Sequence, residues 1–444
     1  MLISFSVANF RSIGAEQTLN LVASNKISDH HDHLVPITGT EKNVVRTAII
    51  YGANAAGKSN LVRAMAAAQA LVNGEERRIY SVEPFRFSAD FAGLPTSFEF
   101  RFLVDNRIFI YGFDVKVPNI EAEWLSVLHN AEERVVFERD KGGKTTRSND
   151  LHELFPNDQD VARILDALAS LPLTPGQLFL NRANSIPGES QGEILRAVIQ
   201  WLTKDLLILL PDHRSPVVLN LLSNDDDFRQ LAESFLYSVG TGVGQLKFLI
   251  EDVPEEHLIR TISGRVRLRS GFRDDLEYIQ PKPDEPDRFI SKKLVAMHPV
   301  GESSATLPFI EESDGTRQLL HLMPVLASPL KGTKVVVIDE LDRSLHPLIC
   351  WEFIRLFSET TPGAHKQLIV TTHEAHMLNQ DLLRRDEYWF VEKDSHQQTQ
   401  IASLSEYNVR KDLKIEKGYL QGRFGGIPII GSMAEIERLL NGLQ

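Results

Sequence analysis

Residues 52–59 read Gly52-Ala53-Asn54-Ala55-Ala56-Gly57-Lys58-Ser59 and match the phosphate-binding loop pattern G-x-x-x-x-G-K-[S/T] at every fixed position. In that pattern successive backbone N–H groups curl around phosphates, while an ammonium and a hydroxyl stand where the loop enters a helix. A β-rich run, 44–51, precedes the loop, and an alanine-rich run, 60–67, follows it. Because strand, loop and helix occur in the required order, the stretch predicts a nucleoside triphosphate site.

The positions of this loop have distinct expected roles. Lys58 is expected to reach the β- and γ-phosphates, Ser59 to ligate Mg²⁺, and the helix N-terminus to face the anion. We therefore expect ATP and Mg²⁺ as cofactors. The residues of this stretch expected to bind the nucleotide are Gly52, Asn54, Ala55, Ala56, Gly57, Lys58, Ser59 and Asn60.

A second pair of stretches completes the expected site. Lys334–Glu340 is an apolar run that ends in two carboxylates, and Gln367–His373 is another apolar run that ends in a histidine. Parallel strands deliver the residues after them to one edge of a sheet. Asp339 is thus expected to bind Mg²⁺, Glu340 to orient or deprotonate the attacking water, and His373 to contact the γ-phosphate.

Composition indicates the class of protein. The 444 residues suffice for two or three domains, and 42% hydrophobic and 24% charged content are typical of soluble globular chains. No apolar run approaches the length of a membrane span, and the N-terminus lacks the basic and apolar regions of a signal peptide. We expect a cytoplasmic protein with no membrane partner.

Charge and cysteine content exclude several kinds of site. Cys350 is the only cysteine, which excludes intrachain disulfides and cysteine-based metal centres. A net charge of −12 argues against a broadly basic surface, so any contact with nucleic acid needs a local patch. The best candidate is a short basic strand carrying Arg265, Arg267 and Arg269, although a solvated strand face is the favoured interpretation.

Two further polar features have competing interpretations. Residues 28–33 read SDHHDH, with three imidazoles and two carboxylates. Such local crowding seldom gives the spread-out geometry that a metal needs, and no distant partner is evident, so a solvated loop is favoured over a metal site. Arg11, which follows a predicted strand over 2–7, is a candidate phosphate ligand, and a surface arginine is the equal alternative.

The remaining pattern predicts the organisation. Residues 97–104 and 107–115 alternate as a hairpin around Asp105-Asn106, whereas helical periodicity prevails from about 151 to 250. We expect an α/β fold in three parts: an N-terminal lobe over 1–125, a mainly helical insertion with the short basic strand over 126–289, and a C-terminal lobe over 290–444.

Several segments together resemble one family. GANAAGKS, VVVIDELDRSLHP and VTTHEAH are similar to the ABC-type P-loop ATPase heads related to SMC and DNA-repair ATPases. NFRSI, RRDEYWFVEKD and YLQGRFGGIP resemble its bacterial branch of overcoming-lysogenization-defect and abortive-infection ATPases. The resemblance covers both ends of the chain and is weakest between about 151 and 290. It implies an ABC-type head with a mixed β-sheet core.

The resemblance also implies how the site is completed. In this family a signature loop from a second subunit caps the γ-phosphate, and the matching stretch here holds Ser313 and Gly315. It departs from the usual LSGGQ but keeps a serine, a glycine and a helix N-terminus, which together can face an anion. Asp342, Ser344 and Leu345 match the family's D-loop. The implied assembly is a head-to-head dimer.

The implied role is anti-phage defence. The ATPase would act as sensor or gate for a separate effector, a nuclease or toxin, with DNA or a phage-derived molecule as its trigger. A DNA-maintenance ATPase acting directly on DNA is the alternative. A third hypothesis is a scaffold that binds ATP to hold an assembly together and hydrolyses it negligibly.

Overall fold

The computed structural model describes most of the chain. The described residues are 1–158, 160–187, 191–211, 217–260, 266–268, 276–282, 285–327, 334–359, 366–407, 415–426, 438–439 and 441. They divide into two compact units, the first made of Met1–Pro211, Gly332–Leu341 and Ser358–Gln444, the second of Asp212–Lys331 and Asp342–Phe357. In the described part of the chain, no helix has the length and apolar character that crossing a membrane requires.

The secondary structure alternates between strand-rich and helix-rich segments. The strands are β1 (Leu2–Ala8), β2 (Gln17–Asn20), β3 (Leu34–Pro36), β4 (Asn43–Val45), β5 (Thr47–Gly52), β6 (Thr96–Val104), β7 (Arg107–Lys116), β8 (Asn119–His129), β9 (Glu132–Arg139), β10 (Thr145–Arg147), β11 (Leu206–Leu209), β12 (Gln245–Val253), β13 (Leu258–Arg260), β14 (Val266–Leu268), β15 (Glu277–Lys282), β16 (Glu285–Val300), β17 (Ser303–Pro308), β18 (Lys334–Ile338), β19 (Lys366–Thr372), β20 (Tyr388–Lys393) and β21 (Thr399–Ser403). The α-helices are α1 (Lys58–Val72), α2 (Leu151–Leu154), α3 (Val161–Ala169), α4 (Phe179–Asn184), α5 (Glu193–Gln200), α6 (Val217–Asn224), α7 (Asp226–Ser238), α8 (Asp314–Leu326), α9 (Pro347–Glu359) and α10 (Ile415–Leu420).

A mixed sheet forms the centre of the first unit. Its order is β11-β18-β19-β5-β20-β21, with parallel pairing from β11 to β20 and an antiparallel edge at β21. Every residue of β5 and β19 is buried, as expected of parallel strands covered on both faces. The mixed α/β class expected from the sequence is confirmed, and the carboxyl ends of β18, β19 and β5 share one edge.

An antiparallel sheet forms the other layer of strands in the first unit. Its order is β10-β9-β8-β7-β6-β1-β2, and β6 pairs with β7 from Thr96 opposite Val115 to Val104 opposite Arg107, which confirms the hairpin around Asp105-Asn106. Alternate side chains of β6, namely Phe98, Phe100 and Phe102, are fully buried. This face belongs to a hydrophobic cluster that also includes residues of α1, so the antiparallel sheet supports the helix that follows the phosphate loop.

The second unit has its own core. Helices α6, α7 and α8 pack with β12 and β16 around buried residues that include Leu222, Phe228, Leu294 and Leu320. Asp225 caps α7 by accepting a hydrogen bond from the Phe228 N–H at 2.9 Å. Ser313 caps α8 in the same way, so the second unit presents the N-terminus of a thirteen-residue helix at the predicted signature loop.

The range 126–289 holds more than helices. It contains α2 to α7, as the helical periodicity indicates, and also β9 to β15 with the start of β16. Strand β14 pairs with β13, and only its backbone is described. Arg265 and Arg269 of the predicted basic strand lie outside the described residues. The boundaries of the three-part organisation stay a prediction, since the two compact units divide the chain differently.

Residues 28–33 are predicted to be a solvated loop, and the structure departs from this at His33, whereas Ser28, Asp29, His31 and Asp32 are exposed. His33 is 5% exposed, and its Nδ1 lies 2.9 Å from an Oε2 of Glu387, which is fully buried. Arg384, also buried, donates to the backbone carbonyl of Asp29. The interpretation as a solvated loop is therefore wrong for His33, because residues 350 positions away in sequence enclose one side of the stretch.

Candidate nucleotide-binding site

The predicted phosphate loop bridges β5 and α1. The loop leaves β5 at Gly52, and α1 begins at Lys58 after Gly57. Ala55 and Gly57 both have positive φ, 63° and 116°. Such left-handed residues turn backbone N–H groups toward a common point, which is the geometry of an anion-binding nest at a helix N-terminus.

Gly57 is required by space as well as by conformation. A Cβ atom at this position would lie 2.1 Å from the Oγ1 of Thr399. Because that distance is far inside van der Waals contact and φ is positive, another residue would strain the backbone and displace the Thr399 side chain. The loop is thus shaped by a strand that the sequence places more than 340 residues away.

The Lys58 ammonium connects the loop to the histidine after β19. Its Nζ donates to the carbonyl oxygens of Gly52 at 2.7 Å and Ala53 at 3.2 Å, and it lies 3.2 Å from the Nδ1 of His373. The side chain is buried, so its charge is directed into the loop. The structure therefore brings Lys58 and His373 together at the sheet edge where both were expected.

The Ser59 hydroxyl and the Asp339 carboxylate also meet. Ser59 donates to Asp339 Oδ1 at 3.1 Å, and Thr371 donates to the same oxygen at 2.7 Å. Asp339 is 1% exposed, and its Oδ2 has no hydrogen-bond partner among the described residues. A buried carboxylate oxygen without a donor is costly unless a cation balances it. A hydroxyl beside such an oxygen fits Mg²⁺, which favours hard oxygen ligands.

Glu340 stands in a strained turn held by the neighbouring strand. Its φ is 57°, uncommon for a residue other than glycine, and its N–H donates to the Thr371 hydroxyl at 2.8 Å. The next N–H, of Leu341, donates to the Thr371 carbonyl at 3.0 Å. Thr371 thus fixes the backbone of Glu340 while bonding the carboxylate of Asp339.

A second polar cluster secures the back of the loop. Thr399 donates from Oγ1 to the Ala56 carbonyl at 2.9 Å and from its N–H to the Ser12 carbonyl at 2.8 Å. The Ser12 hydroxyl lies 2.8 Å from Thr399 Oγ1 and accepts from the Asn60 amide at 2.7 Å. Asn60 therefore joins the loop helix to the N-terminal turn, and its expected role as a nucleotide ligand stays a prediction.

Sequence reasoning missed Thr371, Ser12 and Thr399. Each is a single hydroxyl residue, and its partner lies 31 to 387 positions away. Ser12 lies within the segment NFRSI and Thr371 within VTTHEAH, but no spacing rule indicates which hydroxyl points at the loop. Only the pairing of the strands decides this.

Arg11 has a local partner. The Arg11 guanidinium lies 3.6 Å from the carboxylate of Glu83. The backbone N–H of Arg11 also donates to the backbone carbonyl of Glu83 at 2.7 Å. Among the described contacts, Arg11 is outside the hydrogen-bonded groups around Lys58 and Asp339. Its role as a phosphate ligand stays a prediction.

Ser313 and Gly315 lie in the second unit. Ser313 is exposed, and its hydroxyl accepts from the Thr316 N–H at 3.2 Å, so it caps α8. A Cβ on Gly315 would lie 2.5 Å from the Ser344 carbonyl oxygen. The predicted signature loop therefore packs closely on the predicted D-loop, and Gly315 is the residue that permits this approach.

Removing the Thr371 hydroxyl should weaken the site without touching any residue predicted from the sequence. Thr371→Val leaves the partly buried N–H of Glu340 without its acceptor, which costs about 1–3 kcal/mol. We expect the unfolding midpoint to fall and kcat for ATP hydrolysis to drop by roughly tenfold, the equivalent of about 1.4 kcal/mol. Thr371→Ser, which keeps the hydroxyl, should restore most of both. An unchanged kcat in Thr371→Val would show that this bond does not position Glu340.

The match to a family model spans both halves of this site. Residues 48–183 and 204–379 match the family described as "AAA domain, putative AbiEii toxin, Type IV TA system". These ranges make up more than half of the chain. The chain belongs to this AAA family. In this AAA protein the matched ranges include the phosphate loop, Asp339, Glu340 and His373.

Comparison with solved structures returns SMC head domains. One, an SmcHead bound to the C-winged helix domain of ScpA, is 15% identical with a TM-score of 0.42, covering 90% of this chain and 97% of that one. The SMC head domain from Thermotoga maritima is 14% identical with a TM-score of 0.39, covering 90% and 98%. A Pyrococcus furiosus Smc head bound to the C-terminal domain of ScpA is 12% identical with a TM-score of 0.43, covering 91% and 97%. No curated protein matches this sequence significantly.

Proposed function

We propose that this AAA protein is a Mg²⁺-dependent ATPase whose heads act in pairs. The proposal rests on one observation: four chemical groups lie close together at one edge of the mixed sheet. Lys58 Nζ lies 3.2 Å from His373 Nδ1, and Ser59 Oγ lies 3.1 Å from Asp339 Oδ1. An ammonium, an imidazole, a hydroxyl and a carboxylate at a helix N-terminus suit a metal-bound triphosphate.

Each residue then has a defined task. The loop backbone and Lys58 bind the β- and γ-phosphates, and Ser59 and Asp339 hold Mg²⁺, which when bound neutralises charge on the phosphate oxygens. Glu340 orients the attacking water and accepts its proton, in a turn that Thr371 holds. His373 lies beside Lys58, where its imidazole can donate to a γ-phosphate oxygen.

The second half of the proposal is that two copies share each site. Ser313 is exposed at the N-terminus of α8, where the helix dipole favours an anion. We infer that this helix end of one copy caps the nucleotide bound to the phosphate loop of the other. The arrangement makes the active unit at least a homodimer.

A mixed dimer tests whether the site is shared. In a homodimer of Lys58→Ala or of Ser313→Arg, both nucleotide sites contain the substitution and should be inactive. A dimer of the two variants has one site with both defects and one with neither, so it should recover about half of the wild-type ATPase rate if the sites act independently. The rate is measured on heterodimers purified through two different affinity tags.

The matched control places both substitutions on one chain and pairs it with a wild-type chain. If sites are shared, each site of that dimer has one defect, and it should be inactive although it carries the same two substitutions. The opposite pattern, an inactive mixed dimer and a half-active control, would show that each copy works alone.

We further propose that hydrolysis serves anti-phage defence. The family description names the AbiEii toxin and type IV toxin–antitoxin systems, which supports a link to defence. A role as sensor or gate for a separate effector is the form of that link that we propose. Copurification of the untagged neighbouring gene products with this protein should then yield a nuclease or toxin, released or activated on ATP turnover. A protein that binds no such partner, and whose turnover rises with added DNA, would instead be a DNA-maintenance ATPase.

A further inference from the structure

Two imidazoles and a carboxylate converge in the turn before β3. His30, Asp32 and His33 each offer one ligand atom, and the three atoms lie within 4.8 Å of one another. The His30 and His33 rings are 5.0 Å apart, and His33 Nε2 lies 4.0 Å from Asp32 Oδ2. His30 has φ 49°, a left-handed conformation that bends the chain so that its ring reaches that of His33.

One ring nitrogen of each imidazole lies within hydrogen-bonding distance of an oxygen acceptor. His33 Nδ1 lies 2.9 Å from a carboxylate oxygen of buried Glu387, and His30 Nε2 lies 2.9 Å from the backbone carbonyl of Gln380. Because both partners are oxygen acceptors, those nitrogens donate. In the neutral ring the other nitrogen then carries a lone pair, which leaves His33 Nε2 and His30 Nδ1 as ligands. Carboxylate and carbonyl acceptors behind metal-bound imidazoles are the usual arrangement in proteins.

The charged groups around the turn carry a net negative charge, which a bound cation would balance. Asp32 and Glu387 carry two negative charges, and Arg46, which donates to the Asp32 backbone carbonyl at 3.3 Å, carries one positive charge. The other nearby guanidinium, Arg384, is paired with Asp386 at 2.9 Å. With neutral imidazoles the cluster retains about one net negative charge, which favours a divalent ion over an unbound turn.

Zinc coordination would require the ligand atoms to move closer together, and exposed Asp32 is the ligand that can move most easily. Zinc bonds of 2.0–2.1 Å in a tetrahedron place ligand atoms about 3.3 Å apart. His33 Nε2 and Asp32 Oδ2 must therefore approach by less than about 1 Å, and no pair of the three ligand atoms by more than about 1.5 Å. Asp32 is exposed and can rotate, whereas His33 is held by Glu387. The fixed ligand is thus buried and the moving one is at the surface.

We propose that His30, Asp32 and His33 form a binding site for a late first-row divalent metal ion such as Zn²⁺. Two imidazoles and one carboxylate suit this class of ion, and the fourth position stays open to water. Because the partners of the two histidines lie at 380 and 387, the ion would fasten residues 30–33 to the segment between His373 and β20. The site is separate from Ser59 and Asp339.

Zinc titration of the untagged, full-length protein tests the proposal. Calorimetry is run without nucleotide and in millimolar Mg²⁺, so that oxygen-rich sites are occupied. Wild type should bind one Zn²⁺ per chain. His30→Ala and Asp32→Asn should each weaken that binding at least tenfold. His31 is an exposed histidine of the same turn that is not a proposed ligand, so His31→Ala should bind zinc as wild type does.

Thermal unfolding gives a second readout. Zinc should raise the midpoint of wild type and His31→Ala, because a ligand that binds only the folded state stabilises it. The rise should be lost in His30→Ala and Asp32→Asn, whose midpoints without zinc report whether they fold. Absence of zinc binding in wild type would overturn the proposal, as would folded His30→Ala and Asp32→Asn proteins that bind zinc with wild-type affinity.

Discussion

Glu340→Gln should bind ATP as tightly as the wild-type protein and hydrolyse it at least about 100-fold more slowly. The amide keeps the size of the side chain but cannot take a proton from water, and general-base catalysis typically contributes about 10²–10⁴-fold. The turn that carries residue 340 is held through its backbone N–H by Thr371, so the substitution should leave the turn intact. Bound ATP should consequently accumulate in a stable dimer.

The measurements are single-turnover hydrolysis, nucleotide affinity and mass by light scattering. Glu374→Gln is the matched comparison, since Glu374 is the next carboxylate after His373 and accepts from the His376 N–H. It should hydrolyse ATP near the wild-type rate. Normal turnover in Glu340→Gln together with loss in Glu374→Gln would move the base to Glu374.

Lys58→Ala should abolish tight ATP binding. The buried ammonium is the main positive charge of the loop, and a charge-assisted hydrogen bond contributes about 1.5–3 kcal/mol. Loss of bonds to two phosphates should raise Kd for ATP at least about 100-fold, measured by direct binding of a labelled nucleotide. Lys144→Ala, which removes one exposed lysine from the turn between β9 and β10, should leave Kd unchanged. Wild-type affinity in Lys58→Ala would refute the phosphate-loop interpretation.

Local sequence was enough for the elements that carry the site. The predicted strand before the loop is present as β4 and β5, the helix begins at Lys58, and β18 and β19 end beside Asp339 and His373. These features are readable because runs of buried parallel strands are continuously apolar, and because a phosphate loop needs glycines at fixed spacing. The meeting of Ser59 with Asp339 and of Lys58 with His373 follows from placing three such strands side by side.

The fold of the central region could be predicted less completely from the sequence. Helical periodicity between 151 and 250 correctly indicates α3 and α7, but it does not indicate β12, which pairs with β16 at the boundary of the expected insertion and the C-terminal lobe. Their stability depends on cross-strand contacts and on the core around Phe228, which no local pattern displays.

Local sequence predicts the phosphate loop, its flanking strand and helix, and the acidic and histidine residues after β18 and β19, because each depends on neighbours within about ten positions. Three contacts follow only from the folded chain: Thr399 packs against Gly57, Thr371 joins Asp339 to Glu340, and Glu387 binds His33 where it is buried. Hydrogen bonds between such distant residues leave no periodic trace in the sequence, since a single hydroxyl or carboxylate has the same local pattern whether it is solvated or paired.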